Sequence, residues 1–162
     1  KLTCEYLAKI AFEKYNLKSV CYRPFSGYGE DQDLSYPFPS ICKRVIENKN
    51  SKIINVWGSG YQMRDFIYID DCVNAVVKSM NKIHNADPLN LSTGKYTNFI
   101  KFAKIAANLI GASPKVIGTS KTPEGVFARA GDAKKQKKFG IKHSITLEMG
   151  IKKSLEYFLN KK

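Results

Sequence analysis

The stretch KIINVWGSGYQMRDFIYIDDC, residues 52–72, decides how this chain is read. It gathers the only tryptophan (Trp57), two glycines two apart (Gly58 and Gly60), one of only four arginines (Arg64) and three carboxylates (Asp65, Asp70 and Asp71) in a protein dominated by lysine. IINVW and FIYI are β-branched and aromatic runs, which read as two short strands. Glycines lying between strands, rather than between a strand and a long helix, argue for a hairpin-like turn over a dinucleotide-binding loop. Asp70 or Asp71 then stands as a cap for a helix carrying Val73, Ala75, Val76, Val77 and Met80.

Outward from this stretch the chain alternates helical and extended patterns. Cys4, Leu7, Ala8, Ala11 and Tyr15 recur at helical spacing, which predicts an amphipathic helix from Leu2 to Tyr15. KSVCYRPF (18–25) reads as a buried strand stopped by Pro24, delivering Arg23 to Ser26 to its carboxyl end, where ligands bind in open α/β sheets. The polar loop SGYGEDQDLSYPFP leads to a helix through Ile41 and Val45. Beyond residue 82, Leu89 to Ser92 predicts a strand, Phe99 to Ile110 an amphipathic helix closed by Gly111, and Val116 with Ile117 another strand. The loop TPEGVFARAGD and two lysine-rich helices ending at Leu159 follow. The mixture indicates an α/β or α+β architecture.

With 162 residues, 43% hydrophobic and 12% aromatic, the chain can bury a core, and a disordered or collagen-like polymer is excluded. A net charge of +13 invites a nucleic-acid reading. Yet only four of its 27 basic residues are arginine, and base-reading surfaces favour the planar arginine fork. The lysines, spread along every segment, read as solvated surface. The four cysteines, at 4, 21, 42 and 72, form no CxxC pair and have only two histidines for company, so no metal framework is visible. Placed on helix faces and in a strand, they read as free buried thiols of a reducing compartment, and the expected location is the cytoplasm. No run is apolar enough to span a bilayer, and the opening residues do not resemble a signal peptide. A helical pattern beginning uncapped at Lys1 predicts that the chain starts inside something larger.

Arg64, between a glycine turn and a strand, either clamps a diphosphate through two parallel charge-assisted bonds or forms an ion pair with Asp65, Asp70 or Asp71. Trp57 is either a core residue or a platform for a base or ribose. Arg129, in a loop before a helix, either joins Arg64 around one diphosphate or is a surface arginine. No cysteine has a paired base in sequence, which argues against thiol catalysis, and both histidines, His84 and His143, read as surface bystanders.

Three segments in register resemble the extended short-chain dehydrogenase/reductase family, in its nucleotide-sugar epimerase/dehydratase group. KLTCEYLAKIAFEKYNLKSVCYRPFSGYGE is similar to the part running from the lysine of the YxxxK motif to the RxxNxYGP signature. GSGYQMRDFIYIDDCVNAV resembles GxGxQxRDFxYVxDxxxA, and TPEGVFARAGDAKKQKKFGIKHSITLEMGIKKSLEYF resembles the closing PxGxxxRxxDxxK region. The resemblance implies the last part of a Rossmann-type parallel sheet plus a small α/β substrate-binding domain. Residues 1–30 would belong to the NAD(P)-binding domain and 31–162 mainly to the substrate domain, with 52–82 partly returning to the former.

The resemblance also implies roles. Lys1 falls on the lysine that lowers the pKa of the catalytic tyrosine and holds the nicotinamide ribose. Pro24 and Phe25 fall where the nicotinamide is lined, and Ser26 replaces the usual asparagine that contacts the sugar nucleotide. Trp57 falls on the aromatic beside the nucleotide, Arg64 on the arginine gripping the diphosphate, and Arg129 near a second such arginine. Asp132 reads as a helix cap. The implied cofactor is NAD or NADP, the partner a nucleotide-diphosphate sugar, and the assembly a homodimer through the first helix. No GxxGxxG loop and no YxxxK tyrosine occur where the family needs them, which predicts a carboxyl-terminal portion that is inactive alone. The loop 27–39 has no lysine or histidine to act as the extra acid or base of 3,5-epimerisation, so reaction at C4, 4,6-dehydration or keto-sugar reduction is expected.

Overall fold

The computed structural model describes residues 1–119 and 125–160. The chain opens with α1 (Leu2–Tyr15), ended by Asn16 at φ 52°, then β1 (Ser19–Pro24) and β2 (Ser26–Tyr28). A loop leads to α2 (Pro37–Glu47), whose first residue is a proline already fixed at helical φ. The decisive stretch forms β3 (Ile53–Trp57), β4 (Met63–Arg64), β5 (Phe66–Tyr68) and α3 (Ile69–Ser79). β6 (Asn85–Leu91) and β7 (Thr97–Asn98) precede α4 (Phe99–Leu109), which Asn98 caps by accepting from the Lys101 N–H at 2.7 Å. β8 (Lys115–Thr119), β9 (Ala128–Arg129), α5 (Lys134–Lys138) and α6 (Leu147–Asn160) complete the described chain.

Three strand pairs are parallel: β1 with β6, β2 with β5, and β3 with β8. A small mixed sheet runs β7-β4-β9, antiparallel on one side of β4 and parallel on the other. The predicted hairpin at Gly58 and Gly60 is therefore corrected. β3 and β5 take different partners, and the glycines carry the chain from one to the other. They remain turn formers, at φ 64° and 75°. A Cβ on Gly60 would lie 2.7 Å from both Ile100 and Val56, so no side chain fits where the crossover touches α4.

The larger core is aromatic. Tyr28 stacks on Phe38 at 4.1 Å between centroids, Phe38 meets Phe102 at 4.7 Å, and Phe66 and Phe102 lie 5.2 Å apart over buried Val45, Ile54 and Ile151. A second cluster joins Ile67, Cys72, Leu89, Leu91 and Ile141, with Val20 and Tyr22 at its edge.

Several expectations are corrected by this packing. α1 has the expected bounds but buries no residue: Leu2, Tyr6, Leu7 and Ile10 are all more than half exposed. β1 is half-exposed rather than buried, because among the described residues it has a strand neighbour on one side only. Of the four thiols, Cys42 and Cys72 are buried, Cys21 is half-buried and Cys4 is exposed. Residues 122–124 of the predicted loop lie outside the described residues, and within its remainder Ala128–Arg129 forms a strand. No helix among the described residues is long and apolar enough to cross a membrane.

Candidate functional site

β4 is only two residues long, yet it fixes the central arginine. Arg64 stands opposite Thr97 of β7 and opposite Arg129 of β9. Its guanidinium donates to the carbonyls of Met63 (2.8 Å) and Phe127 (3.4 Å) and lies 5.7 Å from the centroid of the Phe99 ring. Partial burial, and then the neighbouring charge of Arg129, pull its pKa below the ordinary arginine range. Among the described residues neither arginine has a carboxylate partner. Two adjacent unneutralised guanidinium groups repel each other, and a bound anion would relieve that repulsion.

The three carboxylates of the stretch are committed elsewhere, which removes the ion-pair reading of Arg64. Asp65 is fully buried and accepts from the Ser92 and Thr93 hydroxyls and from the N–H groups of Thr93 (2.9 Å), Gly94 (3.0 Å) and Gly131 (3.4 Å). It therefore ties β4 to the loop after β6 and to the turn beyond β9. Asp71, also buried, accepts from Ser144 N–H and hydroxyl, both at 2.9 Å, and from Ile145 N–H at 3.0 Å, holding the approach to α6. Asp70 pairs with Lys153 at 3.7 Å on the surface. Neither Asp70 nor Asp71 is a side-chain cap, since the N-cap of α3 is Tyr68, although both lie in the first turn where the helix dipole favours them.

Trp57 ends β3 with 48% of its surface exposed, so it is not a core residue. The Arg44 guanidinium lies 5.4 Å from the centroid of its ring and donates to the Asn55 carbonyl at 2.8 Å. A cavity of about 110 Å³ is lined by Trp57, Arg44, Arg64, Gln62 and Phe99 among others. Gln62 is 3% exposed, and its Oε1 has no hydrogen-bond partner among the described residues. The sequence reading missed Arg44. The available signal was an arginine near the end of an amphipathic helix that a short turn joins to β3, but nothing local distinguishes it from Lys43 beside it.

Pro24 closes β1 opposite Leu91, and Phe25 donates its N–H to the Leu91 carbonyl at 3.0 Å. Ser26 opens β2 opposite Phe66, two residues beyond Arg64. A Cβ on Gly131 would lie 2.5 Å from Phe25 Cε2 and 2.7 Å from Ser92 Cβ, so a glycine there lets the Phe25 ring lie against the turn after Arg129. Lys1 is exposed ahead of α1. The structure thus brings Trp57 and Arg64 to one cavity and sets Arg64 opposite Arg129, while Pro24, Phe25 and Ser26 follow one another from the end of β1 into β2. Arg23 makes a bidentate pair with Glu5 of α1 and is a structural tie. Asp132 accepts from Lys134 N–H at 2.7 Å, an Asx turn opening α5 after which Ala133 takes the cap position.

Burial pushes Cys42 up to about 12, and Cys72, raised by burial and by Asp71, to about 11, so both are held as neutral thiols. Among the described residues no group of three His, Cys, Asp or Glu side chains could hold a metal ion.

The family model described as NAD dependent epimerase/dehydratase family matches residues 1–92. GDP-L-fucose synthase of Sinorhizobium fredii is 24% identical over 154 residues, covering 91% of this chain and 49% of that protein. GDP-L-fucose synthase of Escherichia coli is 28% identical over 136 residues, covering 77% and 42%. The structure of UDP-glucose 4-epimerase from Thermotoga maritima with UDP-glucose matches with a TM-score of 0.82 and 25% identity, over 98% of this chain and 52% of that one. RMD from Pseudomonas aeruginosa complexed with NADPH matches with a TM-score of 0.86 at 17% identity, over 98% and 54%. The chain spans about half the length of the curated relatives it matches. These likenesses place its fold among the Rossmann-type epimerase and dehydratase structures.

Proposed function

Because the chain belongs to the NAD dependent epimerase/dehydratase family, we propose that it forms the carboxyl-terminal part of a nucleotide-sugar epimerase or dehydratase that works by hydride transfer at C4 of the sugar. The observation that carries this reading is the pair of arginines in register, Arg64 and Arg129, without carboxylate partners among the described residues, beside a half-exposed tryptophan. Trp57 offers its ring to the base or ribose. Arg64 and Arg129 share the charge of the diphosphate, and Arg44, which lines the same cavity as Trp57 and Arg64, adds a third guanidinium.

At the other end of the substrate, Ser26 contacts the sugar and Pro24 with Phe25 forms an apolar wall for the nicotinamide. NAD or NADP, when bound, accepts and returns the hydride. Lys1, Pro24 and Phe25 fit only the nicotinamide end of that cofactor, since the 162 residues contain no GxxGxxG loop for its pyrophosphate. Lys1 supplies a fixed ammonium that favours the phenolate of a tyrosine and donates to a ribose hydroxyl. The partial return of 52–82 to residues 1–30 is supported by the pairing of β2 with β5 and by the second core cluster, where Val20 and Tyr22 pack against the group that holds Ile67 and Cys72. The exposed apolar residues of α1 support a homodimer, and the free thiols support the cytoplasm.

Calorimetric titration with UDP-, GDP- and dTDP-sugars tests the reading. One of them binds at micromolar concentration, and Arg64→Ala weakens that binding at least tenfold. Equal affinity in the wild type, Arg64→Ala and Arg129→Ala sinks the assignment of the arginines.

A further inference from the structure

A second cleft, of about 670 Å³, lies among the loop after β6, the start of α4 and the segment linking α5 to α6, and shares no lining residue with the cavity at Trp57. Lys95, Lys101, Lys137 and Lys142 line it against a single carboxylate, Glu148. Among the described residues none of these lysines is ion-paired. The wall also holds two polar side chains fixed by one carbonyl. Gln136, 1% exposed, donates its Nε2 to the Ser92 carbonyl at 2.6 Å, and the His143 Nε2 lies 3.0 Å from the same oxygen.

That carbonyl can only accept, so it sets both the amide orientation and the ring nitrogen that carries the proton. Gln136 is left with Oε1 as an acceptor, and His143, its Nε2 proton directed at the carbonyl, is left with Nδ1. Both atoms are buried without a hydrogen-bond partner among the described residues. His143 is therefore not the surface bystander its lysine-rich neighbourhood suggested. A buried acceptor left unsatisfied is destabilising, and here two belong to side chains of one wall that also carries four lysines. A ligand matching both features brings negative charge to the lysines and hydrogen-bond donors to the two acceptors.

We infer that this cleft binds a hydroxyl-bearing phosphate ester, its phosphate among the lysines and its hydroxyls donating to Gln136 Oε1 and His143 Nδ1. Neither inorganic phosphate nor a free sugar supplies both halves. The site stands apart from the nucleotide-sugar groove, and its occupation does not depend on that groove's assignment.

The test is a calorimetric titration of the protein with glucose 1-phosphate, inorganic phosphate and glucose. Glucose 1-phosphate binds saturably and at least tenfold more tightly than either of the others. The double variant Lys101→Gln/Lys142→Gln and the single variant Gln136→Leu each weaken it at least tenfold, and Arg64→Ala leaves it unchanged. Both lysines are exposed, so the double variant decides the matter even where Gln136→Leu fails to fold. Equal affinity for inorganic phosphate overturns the inference, as does the absence of saturable binding. Binding that survives the lysine substitutions and disappears in Arg64→Ala also overturns it, by moving the ligand to the other site.

Discussion

Arg64 and Arg129 face each other in register across the parallel strands β4 and β9, and no described carboxylate neutralises either. Such a pair is poorly explained by stability, because like charges on neighbouring strands destabilise a sheet. It is well explained by a ligand carrying two adjacent negative charges.

The first prediction follows from that conflict. Arg129 is exposed, so Arg129→Ala removes repulsion without opening a cavity. Its unfolding free energy equals or exceeds that of the wild type by up to about 0.5 kcal/mol, while nucleotide-sugar affinity falls roughly tenfold. Chemical denaturation and calorimetry on the same preparation check the two signs. A clear loss of stability would make Arg129 a structural residue.

Asp65 gives the opposite pattern. Asp65→Ala leaves the Ser92, Thr93, Gly94 and Gly131 donors without their shared acceptor, a loss of about 3 kcal/mol from charge-assisted and buried hydrogen bonds. Thermal unfolding therefore shifts down by roughly 6–12 °C in a chain of this size. An unchanged melting temperature would contradict the role of Asp65 as the tie between the three segments.

Trp57 is the only tryptophan, so its fluorescence reports directly on the cavity. Addition of a nucleoside diphosphate quenches it if the base stacks on the ring. Arg44→Ala removes the guanidinium 5.4 Å from the ring centroid, shifts the emission of the unliganded protein and weakens nucleotide binding by about 1 kcal/mol. Emission that ignores both changes would place the nucleotide elsewhere.

The buried thiols predict an alkaline limit to stability. Cys42 and Cys72 are raised in the folded protein to about 12 and about 11, whereas the ordinary thiol value is 9.0. The unfolded chain therefore loses these protons first. Their contribution is fully present below about pH 9 and is lost as pH rises from there through the folded values. The denaturant midpoint falls between pH 9 and 11, and alkylation under native conditions reaches the exposed Cys4 ahead of Cys42 and Cys72. Equal labelling of all four thiols would contradict the packing.

Much of this was legible in the residues. The helices at Leu2–Tyr15 and Phe99–Leu109 announce themselves by spacing, and Gly111, at φ 73°, ends the second as its position suggested. Strand existence was legible, but strand partners were not. Nothing local in IINVW says that it pairs with Lys115–Thr119, some sixty residues away, rather than with the nearby FIYI. The carboxylates misled for the same reason, since Asp65 and Asp71 find their donors 27 or more residues further on. Arg44 reaches Trp57 only after α2 and β3 have folded together, so spacing could not reveal it.

The most direct measurement is the structure of the protein crystallised with a nucleotide-diphosphate sugar. The account predicts diphosphate oxygens within hydrogen-bonding distance of the guanidinium groups of Arg64 and Arg129, and the base or ribose against Trp57. A diphosphate bound away from both arginines, with Trp57 uncovered, would contradict it.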